Sequence, residues 1–136
     1  GAPFAAAAVL CAPFDLSEAD TRMRVHPVNR CIYNPGMAST ITSTLQEPTN
    51  LAVLRRHPTL DIDMAVRART VQEIDESIIR RVHGHASPRA YYRAESAAPL
   101  VPRIRVPFLA LHAEDDVLLG ELFPYHEFEL NEYAVG

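Results

Sequence analysis

An acidic cluster that directly follows an apolar run is the feature of this sequence that most favours chemistry. Glu114, Asp115 and Asp116 follow residues 104–112, which are apolar almost throughout from Val106 onward. In open α/β sheets, ligands bind outside the carboxyl ends of the strands. A carboxylate placed there could orient a histidine and stabilise its cation. By residue chemistry alone, a solvated acidic loop or a helix cap is the commoner role for such a cluster.

Other side chains that could complete a site lie in no recognisable catalytic context. They are His112, His126, Ser39, Ser43 and Ser77. No Gly-x-Ser-x-Gly occurs in the sequence, although this turn presents the nucleophile of many serine hydrolases. His83 and His85 lie two residues apart, but no second pair supports them at the spacing of a zinc site. We therefore expect ordinary polar groups at these positions and predict no metal site.

Two short apolar runs are the best candidates for the strands that position the acidic cluster. Residues 5–11 are bounded by Pro3 and Pro13, and residues 106–112 have Pro107 at their entry. Continuous apolar runs between chain breakers are typical of parallel strands that are buried on both faces. Phe14 and Asp15 follow the first run, where they could line a pocket or form a turn. A further strand is expected to begin at 133–136.

Helical signals are clearest between the two runs. Thr70-Val-Gln-Glu73 is a capping box, and an apolar stripe follows it until Gly84. The stripe consists of Val71, Ile74, Ile78 and Val82. A second helix is expected to begin at Ser87-Pro88. Residues 17–69 are predicted to be an irregular, lid-like insertion, with short helices at 37–46 and 49–56. A strand and loop at 1–16 precede this insertion, and the acid-bearing part of the chain, 70–136, follows it.

Composition excludes several classes of protein. The 136 residues are 48% hydrophobic and 22% charged, which is typical of a globular chain. A net charge of -4 gives no support to nucleic-acid binding. Cys11 and Cys31 are too few for a disulfide framework, so we expect a reduced, buried Cys11 and favour an intracellular compartment. The longest apolar run, 2–14, is too short to span a bilayer, and a chain that begins at Gly1 is compatible with a lost transit or anchor segment.

A set of motifs in residues 70–119 resembles one branch of the α/β-hydrolase superfamily. This branch contains the bacterial YheT-like hydrolases, the plant embryogenesis-associated proteins and similar membrane-anchored animal lipases. The matching pieces are Thr70-Val-Gln-Glu-Ile-Asp75-Glu, Tyr91-Tyr-Arg-Ala-Glu-Ser96, Pro102-Arg-Ile-Arg-Val-Pro107 and Leu109-Ala-Leu-His-Ala-Glu-Asp-Asp116. Residues 6–16 also resemble the strand and loop that follow the nucleophile helix of this family, whereas 17–69 match poorly.

The resemblance implies that Asp116 is the acid of a Ser-Asp-His triad. In this family the acid is usually the second Asp of an Asp-Asp-Pro, but position 117 is Val, so Asp115 is an alternative. The nucleophile elbow of the family would be expected upstream of Gly1, and its Gly-Gly-His stretch downstream of residue 136. The implied reaction is hydrolysis of carboxylic esters, with lipid esters as the expected substrates, and it requires no cofactor.

Two functions are compatible with these observations. The chain could be the acid-bearing segment of a serine ester hydrolase that acts on an ester or lipid substrate. It could instead be a non-catalytic, hydrolase-like subunit in an assembly. A partial sheet exposes an unpaired edge and an apolar face, and a partner chain would then cover them.

Overall fold

The computed structural model describes residues 4–136, so residues 1–3 of the predicted strand-and-loop segment 1–16 lie outside it. Two compact units make up the chain: a sheet unit, with residues up to Arg22 and Glu95–Gly136, and a helical unit, Met23–Ala94. The α-helices are α1 (Leu16–Val25), α2 (Asn34–Gln46), α3 (Pro48–Leu54), α4 (Ile62–Ala65), α5 (Val71–Ile74), α6 (Arg80–Val82), α7 (Pro88–Glu95) and α8 (Tyr125–Glu129). The remaining helical segments are the π-helical Asn29–Tyr33 and Asp75–Ile79 and the 3-10 helix Ala98–Arg103.

The sheet unit contains three parallel strands. They are β1 (Ala7–Leu10), β2 (Phe108–Leu111) and β3 (Ala134–Val135), in the order β1-β2-β3. Ala7 pairs with Phe108, and Phe108 pairs with Ala134 on its other side. The structure thus confirms the predicted α/β class, the parallel pairing of 5–11 with 106–112 and the strand at 133–136.

One face of the sheet carries the core of this unit. The buried residues of the core are Phe14, Ala98, Val101, Ala110, Phe123 and Phe128, and Val9, Phe108 and Ala134 of the three strands pack against them. Phe14 meets Phe123 and Phe128 edge to face, with ring centroids 5.8 and 5.5 Å apart. The core therefore fixes the strands from one side.

The opposite face of the sheet is uncovered, and we call it the bare face. It consists of Leu10, Leu109, Leu111 and Val135, which are 71%, 41%, 52% and 64% exposed. The prediction that both strands are buried on two faces is therefore wrong within the described sheet unit, because none of its elements forms a layer over this side. A continuous apolar run predicts a strand, but it does not show which element covers each face.

Cys11 also differs from its prediction. It is exposed instead of buried, and its φ of 45° lies in the left-handed region. Its amide donates to Leu111 O at 2.8 Å, which extends the pairing of β1 with β2 by one bond before the chain turns away. That turn carries the thiol out of the sheet.

The predicted helix at 70–83 is present, and a π-helical turn changes the face that it buries. Thr70 caps its start by accepting from Glu73 N at 3.3 Å, as the capping box predicts, while Glu73 accepts from Arg69 N. Ile74 and Ile78 are buried, but Val82 is 53% exposed. The prediction for Val82 is wrong because a π turn contains more residues than an α turn, and it rotates the following side chains away from the stripe.

Residues 17–69 are more helical than the predicted irregular insertion. The helices expected at 37–46 and 49–56 correspond to α2 and α3, and α1, α4 and a π-helical turn account for most of the remainder. Whether this stretch acts as a lid stays a prediction. No helix among residues 4–136 has both the length and the apolar character needed to cross a bilayer.

Candidate functional site

The predicted acidic cluster lies in an irregular loop after β2, at the carboxyl edge of the parallel sheet. We call residues 113–120 the acid loop. It consists mainly of turns, and Asp116 N donates to Ala113 O at 3.2 Å within it. Since β1 and β2 are parallel, Cys11 and His112 both follow their strands at this same edge. Ligands bind at this edge in open α/β sheets.

One oxygen of Asp116 is held by two backbone amides. Its Oδ1 accepts from Leu118 N at 2.8 Å and from Leu119 N at 3.0 Å. Asp116 is half-buried, and its Oδ2 accepts no hydrogen bond from any of residues 4–136. The carboxylate is thus oriented through Oδ1, and Oδ2 can accept a hydrogen bond from a further group.

Asp115 and Glu114 lack such support. Both side chains are exposed, and neither makes a hydrogen bond or an ion pair with the described residues. A triad acid has to hold an imidazole in one orientation, which favours a carboxylate that is itself held. The local geometry therefore favours Asp116 over Asp115, although it equally suits an aspartate that only caps a turn.

Sequence reasoning missed two residues that shape the acid loop: Arg22, which contacts it from α1, and Gly120, its last residue. The Arg22 side chain of α1 donates from Nε to Val117 O at 3.3 Å. Gly120 has a φ of 48°, and a Cβ there would lie 2.7 Å from Arg22 Cζ. The glycine is the sequence signal for a special backbone position, whereas nothing local marks an arginine that lies 95 residues from its partner.

The two candidate histidines of the sheet unit differ in environment. Both ring nitrogens of His112 are buried and have no hydrogen-bond partner within residues 4–136. Its ring meets Phe123 edge to face, with centroids 5.7 Å apart. His126 is exposed on α8. Neither histidine is hydrogen-bonded to Asp116 in the described part of the chain.

Two of the three candidate serines, Ser43 and Ser77, donate their hydroxyls to helix backbone. Ser77 is fully buried and donates to Glu73 O at 2.7 Å and to Ile74 O at 3.1 Å. Ser43 donates to Ser39 O at 2.8 Å, and Ser39 is exposed on the same helix. Hydroxyls that bond the preceding turn of a helix are structural groups.

The His83 and His85 pair packs on an aromatic ring. The two imidazoles lie 5.1 and 5.6 Å from the centroid of Tyr91. Among residues 4–136, no group of three or more His, Cys, Asp or Glu side chains is arranged to hold a metal ion. The neighbouring Tyr92 hydroxyl donates to Asp75, which gives that aspartate a structural role.

Phe14 and Asp15 have structural roles at the carboxyl end of β1. Phe14 is 5% exposed in the core of the sheet unit. Asp15 Oδ1 accepts from Ser17 N at 2.8 Å and from Glu18 N at 3.0 Å, so it caps the start of α1. Of the two roles open to this pair, the described contacts support the turn role.

Comparison with known proteins identifies curated relatives. A monoacylglycerol lipase of Saccharomyces cerevisiae is 28% identical over 90% of this chain and 28% of its own length. The medium-chain fatty acid ethyl ester synthase/esterase 2 of the same yeast is 30% identical over 95% of this chain and 32% of its own length. The putative esterase YheT of Escherichia coli is 36% identical over 56% of this chain and 25% of its own length.

These matches cover a limited part of each relative. The matched region makes up between 25% and 32% of the length of these relatives. No family model matches the chain, and no solved structure matches it significantly.

Proposed function

We propose that this chain belongs to the α/β-hydrolase superfamily, in its YheT-like branch, and that it supplies Asp116 as the acid of a Ser-Asp-His triad in an ester hydrolase. The observation that carries this proposal is the carboxylate of Asp116 at the carboxyl edge of the sheet. Two amides hold its Oδ1, and its Oδ2 has no partner in the described residues.

In this mechanism Oδ2 of Asp116 accepts a hydrogen bond from the Nδ1–H group of the triad histidine. The hydrogen bond keeps the imidazole in the tautomer whose Nε2 can take the proton of a serine hydroxyl. The serine oxygen attacks the ester carbonyl, and the carboxylate stabilises the imidazolium that forms in this step. Nε2 then gives the proton to the leaving alcohol, and water releases the acyl group by the same sequence.

The serine and the histidine of this proposed triad come from outside residues 1–136. The sequence contains no Gly-x-Ser-x-Gly, and Ser43 and Ser77 donate to helix backbone. His112 and His126 make no hydrogen bond to Asp116 among the described residues. We therefore assign the acid alone to this chain.

The proposed substrates are carboxylic esters with an apolar acyl group. The relatives named above are a lipase of monoacylglycerols, an enzyme of medium-chain fatty acid ethyl esters and a putative esterase. All three names describe ester chemistry, and those of the two yeast proteins describe lipid esters. This supports a lipid esterase or an acylglycerol lipase as the class of enzyme.

A fluorophosphonate probe tests this proposal in the complete protein that carries the chain. We expect covalent labelling at a serine outside residues 1–136, because the probe reacts with a serine that a triad activates. Labelling should slow strongly in Asp116→Asn and stay near the original rate in the matched control, Asp115→Asn. Failure to label the protein, or a label that maps to Ser39, Ser43 or Ser77, would overturn the assignment.

The bare face supports a second candidate, a hydrolase-like subunit without catalysis. Leu10, Leu111 and Val135 expose contiguous apolar surface, next to an open apolar depression of about 630 Å³ that is lined by Ala8 and Leu109. Parallel sheets are normally covered on both faces, so this surface favours burial against further polypeptide.

Charge substitutions on this face separate the two candidates. Leu111→Lys should weaken association with a covering partner, whereas Leu130→Lys, directly after α8, is a matched control at a leucine that is 61% exposed. If the complete protein hydrolyses no ester and Leu111→Lys releases a partner chain, the subunit function is supported. If Leu111→Lys has no effect on association, the bare face is not a contact surface.

A further inference from the structure

The acid loop needs support from outside itself if Asp116 is to hold a fixed position. The two backbone amides that donate to Asp116 Oδ1 belong to Leu118 and Leu119, which lie within the loop. They give the loop its internal shape, but they do not attach it to the sheet or to a helix. Leu119, which is 8% exposed, gives the loop one apolar anchor. An apolar contact alone leaves rotation of the turn poorly defined.

Arg22 supplies a directional contact to the same loop. Its Nε donates to Val117 O at 3.3 Å, and Val117 is the residue directly after Asp116. Its guanidinium also lies against Gly120, the last residue of the loop. The two contacts therefore lie on either side of the turn whose amides bind the Asp116 carboxylate.

The absence of a side chain at Gly120 leaves room for this guanidinium. Its φ of 48° suits glycine, and a Cβ at this position would meet Arg22 Cζ at 2.7 Å and Nη1 at 3.1 Å. The bare glycine backbone thus offers a surface on which a planar, delocalised group can lie. A lysine ammonium could keep the charge and a donor, but it could not reproduce this planar contact.

The helix that carries Arg22 is itself fixed at the sheet. Asp15 caps α1 by accepting from Ser17 N and Glu18 N. Leu16 N donates to Ser96 Oγ at 2.9 Å, which ties the first turn of α1 to the chain beyond α7. Arg22 therefore connects the acid loop to an element that is anchored at the carboxyl end of β1.

We propose that Arg22 is a positioning residue, which holds the acid loop so that Asp116 Oδ2 meets the triad histidine. This inference rests on the proposed function of Asp116. Arg22 acts through the loop backbone and does not contact the substrate. A displacement of the carboxylate by about 1 Å can cost roughly 100-fold in turnover, so a backbone anchor can strongly affect rate.

The test is a double-mutant cycle in the complete protein, with p-nitrophenyl butyrate as the probe substrate. Arg22→Ala, Arg22→Lys and the control Arg103→Ala are compared at equal folded fraction. Arg103 is an exposed arginine of the same unit, and its side chain makes no hydrogen bond or ion pair with the described residues. We expect Arg22→Ala to lower kcat about 10- to 100-fold with KM changed less than about twofold. Arg22→Lys should recover part of this loss.

The same substitutions in an Asp116→Asn background distinguish positioning from a general structural role. Once the acid is removed, Arg22→Ala should cost less than about twofold, because both changes disable the same group. An equal fold loss in both backgrounds would overturn the inference, as would an Arg22→Ala variant that behaves like Arg103→Ala. If Asp116→Asn alone keeps full turnover, the proposed function fails, and the role of Arg22 fails with it.

Discussion

The two hydrogen bonds to Asp116 Oδ1 predict that alanine and asparagine at this position will have different effects on stability. Asp116→Ala removes the acceptor for Leu118 N and Leu119 N, which now lie at 2.8 and 3.0 Å from it. Since Leu119 is buried, its amide regains water poorly. Loss of a comparable helix cap costs about 1 kcal/mol and at most about 2 kcal/mol. Asp116→Asn keeps an oxygen acceptor, and Asn caps about as well as Asp, so its cost should stay below about 0.5 kcal/mol.

Thermal unfolding and hydrogen exchange measure this difference. At this chain length, a loss of about 1 kcal/mol corresponds to a fall in Tm of roughly 3–6 °C. Exchange at Leu118 N and Leu119 N should accelerate about fivefold in Asp116→Ala and little in Asp116→Asn. An alanine variant as stable as the original, or an asparagine variant as unstable as alanine, would refute the hydrogen-bonding scheme on which Asp116 was preferred to Asp115.

Three further predictions follow from other parts of the chain. Thr70→Ala should lower the free energy of unfolding by about 1 kcal/mol in a urea titration, because it removes the cap on Glu73 N. The hydrogen bond from Arg80 lowers the pKa of Glu76, so the stability from this pair is present above the ordinary glutamate pKa and is lost as the pH falls below it. Glu76→Gln should accordingly lose less stability than the original between about pH 5 and pH 3. The 136-residue chain alone should not hydrolyse p-nitrophenyl butyrate above background, and turnover abolished by a fluorophosphonate would contradict this.

The sequence allowed the strands and the acid loop to be predicted because their signals are local. Residues 5–11 and 106–112 are apolar runs set off by prolines, and Glu114 to Asp116 follow the second run directly. The capping box at Thr70 is likewise a pattern of four neighbouring residues. Each of these features depends on the spacing of a few side chains along the chain.

The features that could not be predicted depend on packing or on distant contacts. Val82 is exposed because the π-helical turn at Asp75–Ile79 rotates the following residues away from the buried face of the helix. No residue pattern in the sequence predicts that turn. Leu111 is exposed because no described element of the sheet unit lies over it, which an apolar run cannot reveal. The contact of Arg22 with Val117 joins residues that are 95 positions apart.

Turnover of two matched variants in the complete protein tests the central claim most directly. Asp116→Asn and Asp115→Asn remove the same charge from neighbouring positions, and they are compared at equal folded fraction. We predict that Asp116→Asn loses turnover on the order of 10⁴-fold, because the triad histidine then favours the wrong tautomer, while Asp115→Asn changes it only a few fold. If Asp115→Asn is the variant that loses turnover, the acid lies one residue earlier. If neither variant loses turnover, the acid loop carries no triad acid.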